Sequence, residues 1–206
     1  MILHDYPRSS AAYRVRIALA LKGLSFTSVF VNLLAGEQAG EANRAVNPQG
    51  LVPTLEADGQ TLTQSLAIIQ WLDDTYPEPR LIPADPHARA ACWARALVVA
   101  ADIHPVNNLR ILNALTARFG ADDTARQDWM RHWMADGLDA LEAMAGAGPF
   151  LGGVAPDLSD CCLTPQFYNA RRWGLSVERW PRLAAADAAM LAIPAVAAQA
   201  PEAVAG

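Results

Sequence analysis

Lysine is almost absent from this chain: a single residue, Lys22, stands against fifteen arginines. No basic run interrupts the sequence and the formal net charge is −5. Binding to polyanions draws on clustered cations that release counterions, so nucleic acid and anionic membrane surfaces are poor partners for it. Cysteine is scarce as well. Cys92, Cys161 and Cys162 are odd in number and two of them are adjacent, so no disulfide framework is expected. There is no CxxC, and His4, His87, His104 and His132 are scattered, so no metal site is expected. Long apolar runs are missing too: the alanine-rich tail after Met190 is cut by Pro194 and Pro201. The opening MILHDYPRSS lacks the charged and apolar regions of a secretory signal, and the expected location is the cytoplasm.

What is present is enough apolar residue for a core. Hydrophobic residues make up 52% and charged residues 18% of 206, which excludes a disordered chain. Met1–Tyr6 reads as a short strand. Pro7-Arg8-Ser9-Ser10 reads as a turn offering two N-cap residues, and Ala11–Lys22 as a helix ended by Gly23. Phe26–Leu33 reads as a second strand, and residues 35–46 as weakly helical. Asn47-Pro48-Gln49-Gly50 is a turn. Thr54–Ala57 and Thr61–Thr63, joined by Asp58-Gly59, form a hairpin, and Ser65–Thr75 a helix. The order βαβ, α, ββα gives a parallel pair followed by an antiparallel hairpin, which is the thioredoxin-like α/β arrangement. Tyr76–Pro86, with four prolines, is the linker. Beyond it the chain is all α, with helices over 87–118, 123–146, 157–173, 181–192 and 194–200. The expected domains are therefore 1–80 and 87–206. Asp157, with Asp160 three residues on, opens its helix as a capping box.

Five motifs carry chemistry beside a plain structural reading. Ser9 and Ser10 at a helix start either cap it or hold an anion; a thiolate held there would come from a ligand, since no cysteine lies nearby. Gln49-Gly50-Leu51-Val52-Pro53 either opens an edge strand or carries a cis proline that frees the Val52 backbone for an extended ligand. Gln64-Ser65 opens a second helix that caps itself or grips a carboxylate. Asp102-Ile103-His104-Pro105-Val106-Asn107-Asn108-Leu109-Arg110 places a proline and a polar cluster inside a long helix, which should kink there. Arg171-Arg172-Trp173 either complements a helix C-terminus or supplies a guanidinium for a carboxylate.

Together these residues resemble the glutathione transferase superfamily, and within it the zeta class of maleylacetoacetate and maleylpyruvate isomerases. SSAAYRVRIAL is similar to the class signature SSCSWRVRIAL, and NPQGLVPTL, LTQSLAIIQWL and DIHPVNNLRIL follow in the family's order across essentially the whole chain. The resemblance implies glutathione as cofactor, bound by the first domain, and a second domain that shapes the substrate site. It implies that Ser9 donates to the glutathione thiolate and that Gln64 and Ser65 hold the γ-glutamyl carboxylate. Val52 would pair through its backbone with the cysteinyl unit, and Gln49 would serve the glycine end. His104 and Asn108 would add contacts, and Asp102 would reach the γ-glutamyl amine of the neighbouring subunit of a homodimer. Two departures stand out. Ala11 replaces a cysteine that many zeta members carry, and Asp157 replaces the usual Ser or Thr cap.

The implied reaction is cis–trans isomerisation of a small maleyl-type dicarboxylate by reversible thiolate addition. It calls for cations at the carboxylates and at the enolate, for which Arg8, Arg110 and Arg172 are the candidates. The same groups would also serve general glutathione conjugation or halide removal from α-halo acids. A non-catalytic glutathione-binding protein on the same fold is the third reading.

Overall fold

In the computed structural model, which describes residues 1–205, the apolar opening segment forms β1 (Ile2–Asp5). The turn after it leads into α1 (Ser10–Leu21), whose N-cap is Ser9 and which Lys22 and the positive-φ Gly23 end. Residues Ala12 to Leu19 are all buried, so α1 is covered all round rather than on one face. β2 is shorter than expected, Thr27–Phe30, and all four of its residues are exposed. It is an edge strand, and an edge strand with no partner beyond it has little to lengthen it. A 3₁₀ turn (Glu37–Ala39) and α2 (Glu41–Val46) follow, both largely exposed. β3 (Thr54–Ala57) and β4 (Gln60–Thr63) form the expected hairpin, with Asp58 and Gly59 both at positive φ. α3 spans Ser65–Thr75.

The strand order is β2-β1-β3-β4, with β1 parallel to β2 and antiparallel to β3. Leu3 lies opposite Leu55, and both are fully buried, which sets the core face of the sheet. This is the thioredoxin-like arrangement that the order of elements indicated.

The chain divides into two compact units, residues 1–82 with the tail from Leu191 onward, and Pro83–Met190. The tail was expected with the helical part; it packs with the first unit instead. The buried Arg16 explains why. Its guanidinium holds Asp5 through two 2.7 Å bonds and donates at 3.3 Å to the carbonyl of Gln199 in the tail.

In the second unit, α4 (Pro86–Leu97) runs into a π-helical turn (Val98–Ile103), then α5 (His104–Val106) and α6 (Leu109–Phe119). One kinked helix was expected over 87–118; the structure breaks it at Asn107 and Asn108. Pro105 has no N–H to return to the preceding turn. The turn widens instead, and the His104 N–H reaches back five residues to the Val99 carbonyl. α7 (Asp123–Met144) buries Met130, Met134, Leu138 and Leu141 along one stripe. Its Gly137 admits the widened turn, since a Cβ there would lie 2.3 Å from the Ile103 side chain. α8 (Leu158–Arg172) opens with the expected capping box of Asp157 and Asp160. α9 (Pro181–Leu191), α10 (Pro194–Ala197) and α11 (Pro201–Val204) complete the chain. No helix of the described residues is long and apolar enough to cross a membrane.

Burial and the neighbouring Asp157 push the Asp160 carboxyl up to about 7, against the pull of the N–H groups of Leu151 and Asp157. A carboxyl whose folded value lies above its unfolded one stabilises most below the unfolded value, and that share is lost as pH rises through the folded value. The advantage of the native chain over Asp160→Asn in melting midpoint is therefore expected to shrink between about pH 4 and pH 7. Thermal melts across that range check this.

The three cysteines are all fully buried in the second unit. Burial pushes Cys92 up to about 12 and Cys161 well above the usual thiol value, with Asp157 adding to both. A thiol reagent is expected to find no fast-reacting cysteine in the folded protein and all three after denaturation.

Candidate functional site

The first unit brings one group of candidates together around two helix starts. Ser9 caps α1: its Oγ accepts from the Ala12 N–H at 3.2 Å. A hydroxyl has one donor and two acceptor positions, so capping leaves the Ser9 O–H to donate to an anion. The structural and functional readings of Ser9 are compatible. The residue is half-buried, and its own N–H donates to the Tyr6 carbonyl at 2.8 Å, closing the turn that delivers it. Arg8, exposed on that turn, donates from Nη2 to the Tyr6 hydroxyl at 3.0 Å.

The second helix start is α3. Gln64 sits just before it at φ 69°, a conformation few non-glycine residues adopt, and it supplies no side-chain cap. Its side chain turns instead to Gln49, donating to Oε1 at 2.7 Å. Ser65, buried, accepts at 3.3 Å from Nη1 of Arg14. Arg14 is itself 2% exposed, so a guanidinium lies beneath the start of α3. Leading N–H groups, the hydroxyl of Ser65 and that buried cation together favour negative charge at the start of α3.

Between the two lies the 47–53 loop. Asn43 and Asn47 both donate to the Leu51 carbonyl, and Asn47 accepts from the Gln49 N–H at 3.0 Å. Gly50 closes the loop at positive φ, where a Cβ would lie 3.0 Å from the Gln38 carbonyl. The Val52–Pro53 peptide is cis. Among the described residues, the Val52 N–H and C=O take no backbone partner.

The other candidates belong to the second unit. Asp102 lies exposed on the π-helical turn, and His104, half-buried, follows it. Asn108 caps α6, its Oδ1 accepting from the Arg110 N–H at 3.1 Å, while the Arg110 side chain is exposed. At the end of α8 the two arginines part company. Arg171 donates to the fully buried Asp187 at 2.6 Å, offsetting the rise that burial imposes on that carboxyl. Arg172 is exposed, its guanidinium 5.9 Å from the Trp173 ring centroid.

Two contributors escaped the sequence reading, Tyr6 and Arg14. Tyr6 carries no local signal, because its partners depend on the turn's shape. Arg14 could have been noticed as a charge inside a helix whose neighbours, Tyr13 and Val15, are core residues.

The model of the glutathione S-transferase N-terminal domain matches residues 3–80. A maleylacetoacetate isomerase of Rhizobium meliloti is 47% identical over 189 residues, covering 90% of this chain and 89% of the relative. The holo structure of a bacterial maleyl pyruvate isomerase, described as a zeta-class glutathione S-transferase, superposes with a TM-score of 0.96 at 42% identity, covering 98% of both chains. The maleylacetoacetate isomerase of Anaeromyxobacter dehalogenans, solved with dicarboxyethyl glutathione and citrate in its active site, gives a TM-score of 0.87 at 43% identity. That match covers 98% of this chain and 94% of the other. Sequence, fold and the order of the motifs agree, and the chain belongs to the zeta-class glutathione transferases, in the family of the maleylacetoacetate and maleylpyruvate isomerases.

Proposed function

We propose that this protein is a glutathione-dependent cis–trans isomerase of a maleyl-type dicarboxylate, maleylpyruvate or maleylacetoacetate. The observation that carries the reading is the Ser9 hydroxyl, which caps α1 and keeps its proton to donate. The surrounding groups fit glutathione. Its γ-glutamyl carboxylate suits Ser65, Gln64 and the start of α3, its cysteinyl peptide suits the unpaired Val52 backbone, and its glycine end suits Gln49.

Glutathione supplies, when bound, a thiolate that adds to an olefinic carbon and leaves again, so that the former double bond turns as a single bond. Ser9 and the α1 start keep the thiol ionised at neutral pH. Arg8 binds a substrate carboxylate and steadies the negative charge that addition pushes toward it. No side chain has to take or give a proton, in keeping with the lack of a carboxylate or histidine on the 6–10 turn. The dicarboxyethyl glutathione held by the Anaeromyxobacter dehalogenans relative supports this chemistry, since that group is what thiol addition across a butenedioate produces.

Residues 1–80 are the glutathione-binding part and the helices of residues 87–190 the substrate part, with Arg110 and Arg172 as further carboxylate ligands and His104 and Asn108 as glutathione contacts. Arg172→Ala is expected to lower kcat/KM about 10-fold with little change in melting. Arg171→Ala is expected to lower the melting midpoint instead, because it leaves the buried Asp187 without its cation. Kinetics and melts of the two variants side by side check the assignment. On the family resemblance the proposal extends to a homodimer in the cytoplasm, Asp102 of each subunit serving the γ-glutamyl amine bound by the other. Sedimentation at twice the monomer mass checks the dimer.

The deciding experiment measures cis-to-trans conversion of maleylpyruvate and maleylacetoacetate with and without glutathione. Glutathione-dependent turnover of either is expected, and the ratio of rates names the preferred substrate. Binding of glutathione without turnover of either would overturn the reading.

A further inference from the structure

We propose that Tyr6 is a positioning residue for the isomerisation, fixing the Arg8 guanidinium through its phenolic oxygen; this rests on Arg8 being a substrate carboxylate ligand. Three candidate site elements meet on this one residue. Its carbonyl accepts the Ser9 N–H at 2.8 Å. Its hydroxyl accepts from Arg8 Nη2 at 3.0 Å, and the guanidinium carbon lies 5.8 Å from its ring centroid. Its ring belongs to a small buried cluster with Val31 and Val52, against which Leu33 packs.

The phenol can position because it is itself held. Tyr6 is 8% exposed, and the ring of Phe30 lies tilted against it, the centroids 5.7 Å apart and the planes at 40°. Arg8, by contrast, sits on an exposed turn, where a long side chain has many rotamers to choose from. Bidentate capture of a carboxylate needs the guanidinium fork in one orientation. A hydrogen bond from one fork nitrogen to an immobile phenol sets that orientation before the substrate arrives, and preorganised charge is the kind that lowers a barrier. The apolar packing of the ring would be served equally by phenylalanine. Among the described residues, Arg8 is the one hydrogen-bond partner of the Tyr6 hydroxyl.

Tyr6→Phe removes that oxygen and keeps the ring, the cluster and the turn. Its kcat/KM for the cis substrate is expected to fall about 10-fold, the scale for a lost hydrogen bond to a charged group. Glutathione affinity, measured by titration calorimetry, and the melting midpoint are expected to stay at the native values, which a merely structural role would move. The double-variant cycle completes the test. In an Arg8→Ala background, Tyr6→Phe is expected to add no further loss. An equal loss in both backgrounds would mean that Tyr6 acts without Arg8, and the proposal fails. Native kinetics in Tyr6→Phe with impaired Arg8→Ala would also overturn it, while leaving the Arg8 reading intact. Native kinetics in Arg8→Ala would overturn both.

Discussion

Replacing Ser9 by alanine is expected to lower kcat/KM for the cis substrate by about 100-fold, the scale for removing one donor from a stabilised anion. The variant mixes two effects. Ser9 Oγ accepts from the Ala12 N–H at 3.2 Å, so alanine also uncaps α1. Loss of a cap costs about 1 kcal/mol, which in a chain of this size lowers the melting midpoint by roughly 2–4 °C. Ser9→Asp separates the two. Aspartate caps as well as serine, but an ionised carboxylate has no proton to donate and repels a thiolate. Ser9→Asp is therefore expected to melt close to the native protein and yet be at least as inactive as Ser9→Ala. Ser9→Thr, which keeps both cap and donor, is expected to retain most activity. The rise of rate with pH should also shift upward in Ser9→Ala, since a thiol without its hydrogen-bond donor ionises later. No thiol beside Ser9 can take over, because position 11 is alanine and neither the turn nor α1 holds a cysteine. Native turnover in Ser9→Asp would reduce Ser9 to a helix cap and remove the central step of the mechanism.

The sheet order was readable because its signals are local. Asp58-Gly59 announces a hairpin, and the crossover through α1 leaves β1 and β2 parallel. Asp157 and Asp160 announced the start of α8 for the same reason. Part of what escaped depends on contacts far apart in sequence. The tail joins the first unit through a bond from Arg16 to Gln199, 183 residues away. Pro105 marked where the helix expected over 87–118 would be disturbed, but not that the turn before it would widen and the next helix restart at a cap on Asn108. In the site, Ser9 and Ser65 were legible as helix starts. The link from Gln64 to Gln49 and the cation supplied by Arg14 were not, since each joins residues brought together only by the fold. Arg171 and Arg172 could not be told apart by spacing; a buried carboxylate at Asp187 separates them.

Lys22 carries the largest expected effect on stability. Its three ammonium protons meet three acceptors: Asp73 Oδ1 at 2.8 Å and the carbonyls of Tyr76 and Pro79 at 2.7 and 2.9 Å. The side chains of Lys22 and Asp73 are 0% and 1% exposed. Asp73 in turn accepts the N–H groups of Leu81 and Ile82 at 2.7 and 3.1 Å. One ion pair thus joins the end of α1, the end of α3 and the proline-rich segment that leaves the first unit. Lys22→Met keeps most of the volume but strands a buried carboxylate, at a cost of about 3–5 kcal/mol and a fall in melting midpoint of roughly 10 °C. Removing the charge from both ends, as in Lys22→Met with Asp73→Asn, is expected to recover part of that loss, because a neutral amide costs less to bury than a lone carboxylate. Since Lys22 is the only lysine, amine acylation followed by mass spectrometry gives an independent reading. The folded protein is expected to label at its α-amino group and to label at Lys22 only as it unfolds. Rapid labelling of Lys22 in the folded protein, or a native melt in Lys22→Met, would sink the argument. Lysine suits the place for a geometric reason: its three protons diverge from one nitrogen and so reach three acceptors on separate segments, whereas the planar fork of arginine would spread its donors over a wider edge.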